Sequence, residues 1–165
     1  MATDFTLFPR AGFFRRLGAW VYDALLVVAI YMFVSLLCSA FFIALYTNGV
    51  IGSGLDIAPS DYLAQSMVFK IIMNSLSFVA IVYFFVFFWS RSGQTLGMKA
   101  WRLRIQHLDG QLMSKKMGLK RMLFSLLGLG NFWLFLNWQH KLSIQDKLTE
   151  TEVVVLSLEA NKAKI

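Results

Sequence analysis

The sequence has one cysteine, Cys38, and few acids: nine Asp and Glu against sixteen Lys and Arg. One cysteine cannot close an intramolecular disulfide, so no disulfide framework holds this chain. Nor is SLLCSA expected to serve as a lipoprotein cleavage site. A large Leu precedes the cysteine, and Arg16 and Asp23 lie upstream where a clean signal sequence would stand. Cys38 is expected as a small packing residue within a helix that stays. Charge of either sign is scarce, at 15% of residues against about 25% in an ordinary soluble domain. Hydrophobic residues make up 58%, above the usual range of about 45–50%. A soluble fold of this size could not bury sixteen Phe.

Patterns that carry catalysis or bind metals are also lacking. His107 and His140 stand alone, and no Cys/His spacing of a zinc site occurs. The stretch Gly93-Gln94-Thr95-Leu96-Gly97 lacks the spacing and the Gly-Lys-Ser/Thr ending of a phosphate loop. Nothing has the form of a nucleophile elbow or a catalytic dyad. The expectation is a protein that is not an enzyme, with no cofactor and no metal. The net charge of +7 would suggest nucleic acid in a soluble protein, but here the basic residues flank apolar runs and set their orientation. Nucleic acid is therefore not an expected partner; the lipid bilayer is.

What is there is length and apolarity. Residues 24–46 and 71–89 contain no charge, and about 20 residues of helix cross a hydrocarbon core. Between them lies TNGVIGSGLDIAPSDYLAQS, a loop by its Gly, Ser, Asn and Pro, with Asp56 and Asp61 and no Lys or Arg. Arg10, Arg15 and Arg16 precede the first run, and eight Lys and Arg follow the second between residues 91 and 121. The positive-inside rule then puts the N-terminus and the 90–120 segment in the cytoplasm. Lys70 is the exception, at the outer end of the second span, where its stem can snorkel. Trp89, Trp101, Trp133 and Trp138 are expected in an aromatic belt, and Asn74 as a bond between helices.

Residues 101–105, WRLRI, alternate apolar and basic, which is the period of a strand. Asp109-Gly110 supplies a turn and Leu112-Met113 a return strand, with Val153-Val154-Val155-Leu156 beside them; the alternative is an interfacial amphipathic helix. A third apolar run, residues 122–138, is broken by Gly128, Gly130 and Asn131. It either crosses or turns at the glycines and re-enters buried against other helices. The tail from residue 159 looks polar and frayed. The expected architecture is one all-α membrane domain, a small bundle of two long transmembrane helices plus the glycine-broken segment, with a short cytoplasmic β-hairpin. Spans are expected at about residues 17–46, 68–89 and 121–138, joined by the 90–120 loop.

Arg16 and Asp23 are seven residues apart, so on a helix they share a face, about 10 Å apart along the axis. A carboxylate at that depth costs on the order of 2–3 kcal/mol and needs a cation, a proton or a donor.

The stretch RRLGAWVYD resembles the opening signature of the RDD family of bacterial membrane proteins. SGQTLGMKAWRLRIQHLDGQLMS is similar to that family's loop after the second span, and LSIQDKLTETEVVVL to its terminal motif. The resemblance covers nearly the whole chain. It implies Arg16, Asp23 and Asp146 as the name-giving positions of a shared ion, proton or structural polar site, supported by Thr151, Gly93, Gln94 and Gly97. Gln145 stands where many members carry His. The resemblance implies a multi-pass protein of the plasma membrane and ion-coupled transport, cation against proton, with Arg16 tuning the acids. A homo-oligomer or a membrane partner would complete so small a transporter. The alternative is a non-transporting scaffold or assembly factor whose Arg/Asp network is structural. If Asp146 meets Arg16, the C-terminus must be cytoplasmic and the third run re-entrant or a short two-pass hairpin.

Overall fold

An uncharged run becomes a helix in hydrocarbon because no water is there to satisfy its backbone. The protein, seen as a computed structural model, describes residues 4–125, 130–136, 139 and 141–162. It has two long helices, α1 (Phe13–Thr47) and α3 (Met67–Arg91). Both are long and apolar enough to cross a membrane. Only 11% of the most apolar window of each is buried within the molecule. The core helix of a soluble protein would be mostly buried; here Met32, Phe33, Leu36, Ile71, Phe78 and Val79 stand exposed. An apolar surface of that extent is a membrane-facing one.

The described residues divide into two compact units, residues 26–81 and residues 1–25 with 82–165. In the first, Cys38, Phe42, Leu63, Phe69 and Met73 form the core. Cys38 is the buried packing residue its context suggested. The expected loop holds a short helix, α2 (Pro59–Gln65), with Pro59 in its first turn, where a missing N–H costs nothing. Gly52 has φ +66°, and a Cβ there would lie 2.5 Å from the Tyr46 ring. Tyr46 in turn donates its hydroxyl to the Leu55 and Ile57 carbonyls, folding the loop over the end of α1. The Tyr31 hydroxyl reaches Asn74 Oδ1 at 3.5 Å, so Asn74 does meet α1.

The second unit is built on a two-stranded antiparallel sheet. β1 (Leu103–His107) pairs with β2 (Thr151–Val155), with Leu103 opposite Val155 and His107 opposite Thr151. The other edge of β2 is occupied as well. Ala11 N–H donates to the Val153 carbonyl and Val155 N–H to that of Pro9, and Arg10 bridges Val154. Leu103, Ile105 and Val153 point into a core with Ala11, Ala19, Trp89, Met98 and Met113. The opposite face is covered by Phe5 and Phe8 over Val154, Leu156 and Ala160. Arg104 therefore does not face solvent; its guanidinium lies 3.4 Å from the Phe5 ring centre.

Several expectations need correction. The expected strand from the C-terminal tail does lie beside the 101–107 segment and is its direct antiparallel partner, but Leu112-Met113 does not return as a strand between them. The turn at Asp109-Gly110 forms, with Gly110 at φ +80°, and His107 N–H donates to the Gln111 carbonyl. Pairing then stops, because Ile105 N–H on that edge is already bonded to the Gly93 carbonyl at 2.7 Å. Met113 turns into the core instead. The strand also starts late. A one-turn helix, α4 (Leu96–Ala100), precedes it, and Arg102 at φ +58° swings the chain from helix to strand. Trp89 lies in the core, not in a belt, while Trp133 is exposed and Trp138 falls outside the described residues. The tail is partly ordered, as α8 (Leu158–Lys162) with Ala160 buried.

The third apolar run is not one continuous helix. α5 (Lys115–Ser125) leads into it, residues 130–132 form a 3-10 turn, and α6 (Trp133–Leu136) follows. The residues between, 126–129, and residues 137–138 lie outside the described ones, so the choice between crossing and re-entry falls there. α7 (Ile144–Leu148) follows.

Candidate functional site

Ser143-Ile144-Gln145-Asp146 has the spacing of a capping box, and it forms one. Ser143 Oγ accepts from Asp146 N–H at 3.4 Å, and Asp146 Oδ2 accepts from Ser143 N–H at 2.9 Å. This reciprocal pair holds the Asp146 carboxylate at the start of α7, with its remaining lone pairs facing the unit's interior. Two arginines fill them. Arg16, on the first turn of α1, donates Nη1 to Oδ2 at 2.6 Å, and Arg121 of α5 donates Nη2 to Oδ1 at 2.6 Å. All three side chains are buried.

The arginines' other donors are engaged too. Arg16 Nε bonds the Ala11 carbonyl, Nη1 also reaches Ser143 Oγ, and Nη2 bonds the Lys141 carbonyl at 2.9 Å. Lys141, at φ +51°, lies in the turn that leads into α7. Arg121 Nη1 bonds the hydroxyls of Thr149 and Thr151. Those hydroxyls bond each other at 2.8 Å, and Thr149 Oγ1 also reaches the Gln145 carbonyl. The residues that surround Asp146 thus come from α1, α5, α7 and β2. Burial pushes the Asp146 carboxyl up, but the Arg16 and Arg121 charges and the Ser143 N–H outweigh it and hold it at about 2.

Asp23 is elsewhere. Two helical turns along α1, it is buried, and no ion pair to it exists among the described residues. Its Oδ2 accepts from the Thr95 hydroxyl at 2.6 Å and its Oδ1 from Gly97 N–H at 2.9 Å. Thr95 is itself the N-cap of α4, accepting from Met98 N–H. Asp23 therefore clasps the start of α4 to α1. The approach is close enough to demand glycine: a Cβ on Gly97 would lie 2.5 Å from the Ala19 carbonyl and 2.6 Å from Asp23 Oδ1.

The expected single site of Arg16, Asp23 and Asp146 is therefore two sites. The seven-residue register puts Arg16 and Asp23 on one face, but about 10 Å of rise separates them, and each finds a partner from a different segment. Thr151 does support the Arg16–Asp146 cluster, through Arg121. Gly97 supports Asp23 directly. Gln94 and Gly93 act on the sheet. Gln94 Nε2 bonds the Leu103 carbonyl and Asn161. Gly93 has φ +71°, and a Cβ there would lie 2.6 Å from the Ile105 carbonyl.

Arg121, Ser143, Thr149 and Thr95 were not singled out from the sequence. Ser143 and Thr95 carried a readable signal, a capping residue before a helical turn. Arg121 carried none, since it stands beside Lys120 in a basic flank and only the fold distinguishes the two. His107 contacts the Glu150 carbonyl at the end of the sheet, and His140 lies outside the described residues. Among the described residues, no group of three or more His, Cys, Asp or Glu could hold a metal ion.

No curated protein and no solved structure matches the chain. The family model that matches is described as the RDD family and spans residues 10–150, from the Arg10 bridge through Asp146 to the turn before β2. With two exposed apolar helices long enough to cross a bilayer and that match over most of its length, the chain is a membrane protein of the RDD family.

Proposed function

We propose that this protein is a small multi-pass exchanger of the bacterial plasma membrane, in which Asp23 carries a proton and a small monovalent cation in turn. One observation supports this above the rest: Asp23 is buried on an apolar helix with hydrogen-bond donors beside it but no ion pair among the described residues. An intramembrane acid of that kind marks a functional site by default, and an ion or proton path is one of the roles such acids take. The oxygens near it, from its own carboxylate, the Thr95 hydroxyl and the Ala19 carbonyl facing Gly97, are the hard ligands such a cation takes. Arg16 belongs to the Asp146 cluster and anchors the fold; it is not the exchanging group.

In this reading α1 and α3 both cross, and the basic residues put the N-terminus in the cytoplasm. The C-terminus lies on that same side, because β2 pairs with residues 9–11 and Asp146 with Arg16. Two or three spans are few for a transporter, so the working unit is a homo-oligomer or a complex with a membrane partner. No catalytic chemistry is part of it. The second reading is a scaffold or assembly factor. It is favoured by the Arg16–Asp146–Arg121 cluster, whose charges are spent on holding segments together.

The test is flux. Purified protein in sealed vesicles with an acid interior should release protons on addition of Na⁺ or K⁺. Asp23→Asn should insert and fold but give no flux. Absence of flux from the wild type, or equal flux from Asp23→Asn, would overturn the exchange reading in favour of the scaffold.

A further inference from the structure

α3 loses its apolar character at Ser90 and Arg91, and α5 begins at Lys115. Where these ends meet there is an open cavity of about 380 Å³, lined by Phe87, Ser90, Arg91, Met113, Ser114 and Lys115. Its lining combines apolar Phe87 and Met113 with polar Ser90, Arg91, Ser114 and Lys115. Arg91 and Lys115 are exposed, and the Arg91 guanidinium stands 5.7 Å from the centre of the Phe87 ring. Among the described residues no acid lines the cavity. Between residues 62 and 145 the sequence holds one acid, Asp109, which lies in the turn after β1 with its carboxylate bonded to Gln111 N–H. Lys116 and Lys120 add exposed positive charge on α5, whose first turn contains no acid.

We infer that this cavity is a binding site for the phosphate of an anionic phospholipid headgroup. The depth is right. Exposed apolar side chains of α3, Val79 and Tyr83 among them, precede the cavity, and the helix ends at Arg91 immediately beyond it. If α3 spans the bilayer, this is the level at which headgroups lie. The donors suit a phosphate. Arg91 and Lys115 provide two cations from two helices. The Ser114 hydroxyl accepts from Met117 N–H and keeps its own proton free to donate. Ser90 donates to the Phe87 carbonyl, which leaves its oxygen without a free proton. The apolar part of the lining fits the other end of the ligand: Phe87 stacks with Tyr83 at 5.7 Å, a ring surface along which the first carbons of an acyl chain can lie. A basic pocket between helix ends is the kind of site that anionic headgroups occupy. The site rests on the membrane placement of α3 and not on ion exchange at Asp23, so either can fail without the other.

The experiment is native mass spectrometry of the full chain in detergent, titrated with phosphatidylglycerol or with phosphatidylcholine of the same acyl chains. The wild type should retain phosphatidylglycerol on the order of tenfold more tightly, the scale expected for two surface cations. Arg91→Gln with Lys115→Gln should erase that preference, and Lys115→Glu alone should weaken it; Lys99→Gln, outside the cavity, should not change it. Both cavity cations are exposed, so neither change threatens folding; an unaltered melting temperature confirms that. Equal retention of the two lipids by the wild type, or an undiminished preference in the double variant, would overturn the proposal. Inorganic phosphate that displaces phosphatidylglycerol at comparable concentration would assign the site to the free ion and overturn the lipid assignment.

Discussion

Asp146 and Asp23 are both buried, both in one unit of the chain, and both joined to α1, yet they do opposite things with their charge. The Asp146 carboxylate meets two arginines and the N–H of its one capping partner, Ser143. Asp23 meets one hydroxyl and one backbone N–H. The first carboxylate is neutralised by long side chains reaching from other elements, so it ties four segments together. The second is met by short donors within one turn of α4, so it ties one turn to one helix. A buried charge with full ionic partners is costly to disturb; a buried charge with only neutral donors can change state at lower cost. That difference separates an anchor from a candidate exchange site.

Removing the anchor should have the largest effect. Asp146→Ala leaves Arg16 and Arg121 facing each other without an anion, at about 3–5 kcal/mol. Thermal unfolding in detergent should show a large drop in midpoint or no folded protein at all. A wild-type-like melt would break the comparison, since Asp146 would then hold nothing.

Gly97→Ala comes next, at about 3 kcal/mol, the upper end for forced overpacking. The new Cβ meets a backbone carbonyl and the Asp23 carboxylate, neither of which can move aside cheaply. Melting temperature reports it, and a shift as small as that of an exposed helix substitution would mean that α4 is not clasped to α1.

Acid sharpens the contrast. The Asp146 carboxyl sits at about 2 in the fold, below the ordinary aspartate value of 3.8. A depressed carboxylate stabilises the fold above its unfolded value, and that stability is lost as pH falls through the folded one. Roughly 2 kcal/mol should therefore disappear between pH 4 and pH 2. Chemical unfolding at stepped pH should show that loss in the wild type. Asp146→Asn, already destabilised, should lack this component, and an identical acid profile in both would refute it.

Asp23→Asn should be the mildest, at about 1 kcal/mol. An amide can accept from Gly97 N–H and donate to Thr95 Oγ1, so both bonds survive in altered form. The same exchange at Asp146 offers two arginines an uncharged partner. Parallel melts of the two Asn variants compare the sites directly; equal losses would remove the distinction between anchor and exchange site.

Much of the fold was legible because its signals are local. Charge-free length announces α1 and α3, alternation announces β1, and the Asp109-Gly110 turn forms where its residues stand. What failed was partner choice. Leu112-Met113 stands where a return strand would pair with β1, but the Gly93 carbonyl takes that edge. Trp89 had the position of a belt residue but fills the core.

At the site, the sequence by itself determined the identity of the family, the shared face of Arg16 and Asp23, and the capping box that holds Asp146 at the start of α7. Helical period and capping act over one or two turns, so spacing alone carries them. Only the tertiary structure decided that Arg121 and not Lys120 is the second cation, that Thr95 and Gly97 answer Asp23, and that the tail strand pairs directly with β1 while Leu112-Met113 does not. These are meetings between segments far apart in the chain, and nothing in the composition of either segment names the other. They follow from where burial leaves a charge with no water, which compels it to take whichever partner the fold brings within 3 Å or so.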